Sequence, residues 1–227
     1  MRIAVIPGIL LLAATLAGSE FDAARDAQDV RKLEAIVAKL ADAAQKNNRD
    51  ARAYYKLALA RSYLSSVRME LHDKANAKAV AEAGIPAAER AVALAGNVAE
   101  HHRILGTLCG QVIPTNVFSG LKWGRCALDS INKAIELDPR SSDAYLSRAI
   151  GNYYLPEAFG GGPELAVQDC RKAIQLNQKS SEAYLWLGIA LRKLNRNGEA
   201  RAAIRKSLEL NPKRVWAKQQ LEKIPAK

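Results

Sequence analysis

The chain has 227 residues, of which 49% are hydrophobic and 25% are charged, with a formal net charge of +11. This length and apolar content suffice to bury a core, which excludes a disordered chain. Aromatic residues make up only 6%, and the abundance of alanine favours closely packed helices over sheets.

The first 19 residues are predicted to be a signal peptide. Arg2 supplies a positive start, "IAVIPGILLLAATLA" (3–17) is an apolar run, and small residues follow at 17–19. The run is shorter than the roughly 18 apolar residues of a membrane span, so we expect cleavage after Ala17 or Ser19 rather than an anchor. The sequence therefore predicts an exported bacterial protein, periplasmic or secreted.

Residues 20–227 are predicted to form one all-helical repeat domain. A leading helix, Asp22 to Gln45, precedes helix pairs at approximately 51–97, 98–140, 141–180 and 181–214, and a capping helix at 214–224 closes the array. The repetition is visible in "SSDAYLSRAI" (141–150) against "SSEAYLWLGI" (180–189). Small residues stand where two helices cross closely, which is how stacked repeats build a shared core.

Three of the units contain extra residues, predicted to be loops between the helices of a pair. The extra residues fall within 65–77, 111–120 and 152–166. The last contains "GGGP", which either turns the chain or binds phosphate. A turn is favoured because no basic residue follows before Arg171, and Pro163 suits the first turn of a helix.

The cysteines and histidines give no sign of a metal or a catalytic thiol. Cys109, Cys126 and Cys170 are odd in number and show no CxxC spacing. Buried thiols are favoured over a disulfide, although an oxidising compartment leaves pairing open. His101 and His102 are interpreted as core or cap residues. With no catalytic motif, the sequence predicts no enzyme, cofactor or metal.

The last unit resembles the tetratricopeptide repeat (TPR). Residues 181–214 have its length and its order of aromatic, Leu-Gly, Ala, large residue and Pro: Tyr184, Leu187, Gly188, Ala200, Ile204 and Pro212. This resemblance implies a right-handed α-solenoid. The extended inter-helix segments also resemble the regulator-of-microtubule-dynamics type and the exported T component of bacterial TRAP transporters.

The resemblance implies a concave surface lined by the first helix of each unit, which suits an apolar or amphipathic segment of a protein or peptide partner. Packing against neighbouring helices is the alternative for these side chains. Resemblance to the transporter component implies a second function, carriage of small hydrophobic ligands. The expected groove residues are Leu146, Ile150, Tyr153, Tyr154, Leu185, Ile189 and Arg192.

The end of the chain is strongly basic, since residues 192–227 contain eleven Lys or Arg and three acids. These side chains form either a solvated outer face or a surface for an acidic partner or an anionic membrane. Nucleic acid is not expected, because no aromatic residues interleave with the basic ones. The expected basic surface comprises Arg196, Arg201, Arg205, Lys206, Lys213 and Arg214.

Overall fold

A computed structural model describes residues 20–113 and 117–225, and all regular structure within them is helical. The predicted signal peptide lies outside the described residues. None of the described helices is both long and apolar enough to cross a membrane. The helices are α1 (20–26), α2 (Val30–Lys46), α3 (Ala51–Glu70), α4 (Lys74–Leu94), α5 (Ala99–Val112), α6 (Val117–Leu137), α7 (Ser142–Tyr154), α8 (Pro163–Leu176), α9 (Ser181–Lys193), α10 (Asn197–Leu210) and α11 (Val215–Glu222).

Side-chain caps define where many of these helices begin. The carboxylates of Asp29, Asp50 and Asp73 accept a hydrogen bond from a backbone N–H in the first turn of α2, α3 and α4. Ser141 and Ser180 do the same for α7 and α9. Each cap satisfies a donor that has no partner within its own helix and stabilises the helix by about 1 kcal/mol.

The helices pack as an α-solenoid. The pairs α3–α4, α5–α6, α7–α8 and α9–α10 contact each other extensively, and each second helix also packs on the first helix of the next pair. In addition, α3 contacts α5, α5 contacts α7, and α7 contacts α9. These first helices therefore line the inner side of the curve, here called the inner face. The architecture is the expected right-handed α-solenoid.

Small residues bring the paired helices close together. A Cβ atom on Gly188 would lie 2.4 Å from Cγ1 of Ile204 and 2.9 Å from the carbonyl oxygen of Ala200. Only a residue without a side chain fits this crossing of α9 and α10. Buried alanines fill much of the remaining core, such as Ala200 and Ala203.

Two of the three predicted loops are wrong, because the extra residues lengthen helices. Helix α3 continues to Glu70 and α4 begins at Lys74, joined by a turn in which His72 has φ 64°. In the second segment α5 reaches Val112 and α6 begins at Val117, and residues 114–116 lie outside the described residues. Among the described residues of the three segments, only 155–162 forms an extended connection, with one 3₁₀ turn at Glu157–Phe159. The predicted leading helix is also interrupted, at Gln28, whose φ is 54°.

The structure contains a disulfide between Cys109 of α5 and Cys126 of α6. The preference for buried free thiols is therefore wrong for this pair, although it holds for Cys170, which is buried and free. The pairing arises because α5 and α6 lie side by side and bring the two Cα atoms to 6.0 Å, within disulfide range. Spacing along the chain does not reveal this proximity.

Candidate binding surface on the inner face

Four aromatic side chains form a continuous row on the inner face. Tyr153 and Tyr154 end α7, and their rings lie 5.7 Å and 6.2 Å from that of Trp186 in α9. Trp186 in turn lies 5.3 Å from Trp216 in α11. Tyr154 is 44% exposed, and the other three are half-buried. We call Tyr153, Tyr154, Trp186 and Trp216 the aromatic row.

Polar groups flank the aromatic row at both ends. The Lys193 ammonium lies 4.4 Å from the centre of the Tyr153 ring, and the Arg214 guanidinium lies 5.4 Å from that of Trp216. The partial burial of Tyr154, followed by the neighbouring Tyr153 and Glu70, raises its pKa to about 12. Its phenol is therefore protonated at ordinary pH and can donate a hydrogen bond at the exposed end of the row.

The predicted groove residues do not form one open apolar surface. Leu146, Leu185 and Ile189 are buried in the core, at 9%, 0% and 3% exposure, so for these three the groove prediction is wrong. Their side chains fill the space between helices, which was the alternative interpretation. Ile150 and Arg192 are half-buried. Tyr153 and Tyr154 do lie together, as the accessible part of the aromatic row.

Arg214 is the centre of a buried charge cluster. It was predicted to belong to a basic surface, but it is only 1% exposed. Its Nη1 and Nη2 atoms lie 3.0 Å and 2.5 Å from the carboxylate oxygens of Glu70, and its Nε donates to Glu182 at 2.8 Å. Arg25 of α1 lies 4.0 Å from Glu182. We call Arg25, Asp26, Glu70, Glu182 and Arg214 the charge cluster.

The pKa values of the two glutamates of the charge cluster are shifted in opposite directions. Burial raises the pKa of Glu70 above its ordinary value, and the bonds from Arg214 offset this only in part. Burial would also raise the pKa of Glu182, but the charges of Arg214 and Arg25 outweigh it and hold the pKa below its ordinary value. Both glutamates therefore depend on Arg214 for their compensating charge.

Helix α1 lies between the two ends of the solenoid. Its Phe21 and Ala24 are buried against the first unit, in a cluster with Leu33, Leu64 and Val67. On the other side, Asp26 accepts a 2.7 Å hydrogen bond from Asn211, and the carbonyl of Arg25 accepts one from Arg214. The chain therefore closes on itself, because α1 contacts both the first unit and the residues just before α11.

The glycine-rich connection is a turn, and the backbone N–H groups of its three glycines are not free to bind a phosphate. The N–H groups of Gly160, Gly161 and Gly162 donate to the carbonyls of Glu157, Pro156 and Asn152. Gly160 and Gly162 have φ of 80° and 117°, which glycine adopts without strain. The connection holds Phe159 outward, at 75% exposure.

Half of the predicted basic surface, Arg196, Lys206 and Arg214, is ion-paired within the protein. Arg196 pairs with Glu199 at 2.7 Å, and Lys206 pairs with Glu209 at 2.9 Å. Arg201 donates to the carbonyl of Ile224. Arg205 and Lys213 are exposed and form no side-chain ion pair with the described residues. What remains is a dispersed set of positive charges.

The described residues show neither a metal cluster nor a deep pocket. No three His, Cys, Asp or Glu side chains among them converge as metal ligands. His101 and His102 hydrogen-bond to the carbonyls of Ala95 and Gly96, as cap residues do. The two best-formed pockets, of about 410 and 310 Å³, are open depressions around α9 and α10.

Sequence reasoning missed the tryptophans and the charge cluster. Trp186 and Trp216 occupy different positions within their helices from Tyr153, so aligning the repeats does not reveal a row. One signal was present: Trp186 lies in the first helix of the last unit, and first helices were expected to line the inner side. The charge cluster left no local signal, since Glu70 and Arg214 are 144 positions apart.

Comparison with known proteins supports the repeat architecture. The tetratricopeptide repeat family model matches residues 181–214, the unit whose pattern is clearest in the sequence. No curated protein sequence matches the chain. The matched unit and the solenoid fold support the prediction of a tetratricopeptide repeat protein. Neither of the two subtypes is confirmed.

Solved structures of TPR proteins are similar to this chain. The crystal structure of a thermophilic TPR protein from Thermus thermophilus is 19% identical, with a TM-score of 0.65 over 84% of this chain and 91% of that one. The first TPR domain of human RPAP3 is 26% identical, with a TM-score of 0.44 over 55% and 90%. The first TPR of Spaghetti, bound to an HSP90 peptide, is 27% identical, with a TM-score of 0.41 over 52% and 94%.

Proposed function

We propose that this tetratricopeptide repeat protein is an exported, non-catalytic scaffold that binds a protein partner through the aromatic row. The observation that carries the proposal is the row itself, three half-buried rings continued by the 44%-exposed Tyr154. Large aromatic side chains set in a packed frame supply much contact area at low entropic cost. A partner segment with apolar anchors flanked by polar groups fits this surface.

Export is the second part of the proposal. The predicted signal peptide supports it, and so does the disulfide between Cys109 and Cys126. Disulfides persist in oxidising compartments and are rare in the cytosol. The periplasm or the exterior of a bacterial cell is therefore the proposed location.

The partner proposal is tested with the full chain and a displayed peptide library. We expect enriched peptides to share an aromatic or aliphatic anchor, and Tyr154→Ser to weaken their binding at least about tenfold. Tyr154 is the most exposed member of the row, so this change leaves the fold in place. Leu128→Ser is the matched control, because Leu128 is an exposed apolar residue of α6. Equal losses in both variants, or none in Tyr154→Ser, would contradict the proposal.

A further inference from the structure

Helix α1 occupies its seat, the surface formed by α2, α3 and the charge-cluster residues Glu70, Glu182 and Arg214, in the way a bound peptide would. Its buried face carries Phe21 at 6% and Ala24 at 1% exposure. Arg25 stands four residues after Phe21 and therefore on the same face, where it lies 5.0 Å from the ring centre of Tyr63 and 4.0 Å from Glu182. Helices docked into grooves likewise bind through one face that carries apolar anchors.

The seat of α1 adjoins the aromatic row. Arg214 donates to the carbonyl of Arg25 at 3.4 Å and also stacks over Trp216, the last ring of the row. Gln28, just after α1, bonds to both Glu70 and Gln219. A segment that binds along the row therefore meets α1 at Arg214.

The connection between α1 and α2 is short and suited to act as a hinge. Only residues 27–29 separate the two helices, and Gln28 adopts φ 54°, an uncommon conformation for a residue other than glycine. The described part of α1, residues 20–26, is held in place by side-chain contacts with the seat. Its position therefore depends on these contacts.

Displacing α1 would leave a specific set of groups without partners. Glu182 would lose the charge of Arg25, Asn211 would lose its acceptor on Asp26, and the apolar floor around Leu33 and Leu64 would be exposed. A replacement must supply a large apolar residue, a cation that reaches Glu182 and Tyr63, and an acceptor for Asn211. These are the groups that α1 carries at Phe21, Arg25 and Asp26.

We infer that α1 is an internal ligand of the inner face, and that the partner is a polypeptide helix carrying an apolar residue followed, four and five positions later, by an Arg-Asp pair. Such a partner displaces α1 and continues along the aromatic row. The inference rests on the proposed function, since it names the partner class for the same surface. In the free protein α1 lowers the affinity for this partner.

The test uses the full chain and a fluorescent peptide of residues 20–29. In the wild-type chain the tethered α1 competes at an effective concentration of roughly millimolar. Phe21→Ser removes the apolar anchor of α1 and frees the seat. We expect this variant to bind the peptide at least about tenfold more tightly than the wild-type chain. The control peptide, with Arg25→Glu, should not bind, because it places a carboxylate against Glu182.

Equal affinity of the peptide for both chains, or equal binding of the Arg25→Glu peptide, would overturn the inference. If Phe21→Ser unfolds the first unit, hydrogen exchange of residues 20–28 in the wild-type chain replaces it. Excess peptide must then accelerate exchange there, and unchanged exchange would overturn the inference.

Library peptides are measured on the same variants. If they require Tyr154 while Phe21→Ser changes nothing, the proposed function stands and the internal-ligand inference fails; if they ignore Tyr154, both fail.

Discussion

The guanidinium of Arg214 lies 2.5 Å from a carboxylate oxygen of Glu70, although 144 positions separate the two residues. The contact joins the first repeat to the start of α11 and closes the solenoid. It exists because α3, at 20 residues, is longer than the 13-residue helices α7 and α9. At 1.5 Å per residue the added length is about 10 Å, and Glu70 is its last residue.

Replacing Arg214 should destabilise the protein strongly. Arg214→Met leaves Glu70 and Glu182 buried without their cation, which costs about 3–5 kcal/mol in the free energy of unfolding. Lys213→Met is the matched control, since the adjacent side chain is exposed and its loss should change stability by at most about 0.5 kcal/mol. Urea unfolding of both variants measures the difference. Similar small losses in both would show that Arg214 is not buried in an ion cluster.

Lowering the pH should reduce the free energy of unfolding, because Glu182 of the charge cluster becomes protonated. Its pKa is lowered in the folded protein from an ordinary value of 4.5, so the unfolded state binds the proton more readily. Its contribution to stability is therefore present above that value and is lost as the pH falls through the folded pKa. Glu70 has a raised pKa in the folded protein, so its protonation on acidification favours the folded state and opposes the effect of Glu182.

The measurement is the free energy of unfolding between about pH 3 and pH 7 for the wild-type chain and Glu182→Gln. The variant should be less stable near neutrality and should lose less stability on acidification. An unchanged pH dependence would mean that Glu182 is not held ionised by Arg214 and Arg25.

The disulfide should be a major source of stability. It closes a loop between positions 17 residues apart, for which the chain-entropy account gives about 3 kcal/mol. We expect a Cys109→Ser, Cys126→Ser double variant to lose about this much in urea unfolding. Thiol labelling checks the pairing: the unreduced, denatured wild-type chain should react once, at Cys170 alone. Three reactive thiols would contradict the disulfide.

Gly188 and Gly151 allow a paired test of how closely the helices cross, because of the two only Gly188 lies at a crowded crossing. Gly188→Ala places a Cβ against Ile204 and the Ala200 carbonyl, and the overpacking should cost about 1–3 kcal/mol. Gly151 lies in α7, and a Cβ added there would meet nothing within 4 Å. Gly151→Ala should therefore stabilise α7 by up to about 1 kcal/mol through helix propensity. Thermal unfolding of both variants tests this opposite pair of effects, and equal effects would contradict the close crossing.

The repeat framework was predictable from sequence because its determinants are local. Gly188, Ala200 and Ile204 lie within one unit, and their spacing alone places a close crossing between two helices. Segment 65–77 was misassigned because its polar residues, such as Arg68 and Glu70, are equally compatible with a loop and with a helix surface. The contact of Glu70 with Arg214 favours the helix, and that contact is made at the far end of the chain.

The candidate site was less predictable for the same reason. Tyr153 and Tyr154 were predicted to line the groove, and the structure places their rings next to each other and to Trp186. Leu185 and Ile189 were assigned to the groove because a helical period alone does not tell which apolar stripe faces the neighbouring helix. The closure of the solenoid by α1 decides how much inner surface remains, and no periodic pattern records it.

The closed solenoid is tested most directly by a double-mutant cycle between Glu70 and Arg214. Unfolding free energies are measured for the wild-type chain, Glu70→Gln, Arg214→Met and the double variant. Our account predicts a coupling energy of at least about 1.5 kcal/mol, because the two side chains are buried against each other. Additive effects, with coupling within about 0.3 kcal/mol of zero, would show that the two ends do not meet in solution and would contradict the account.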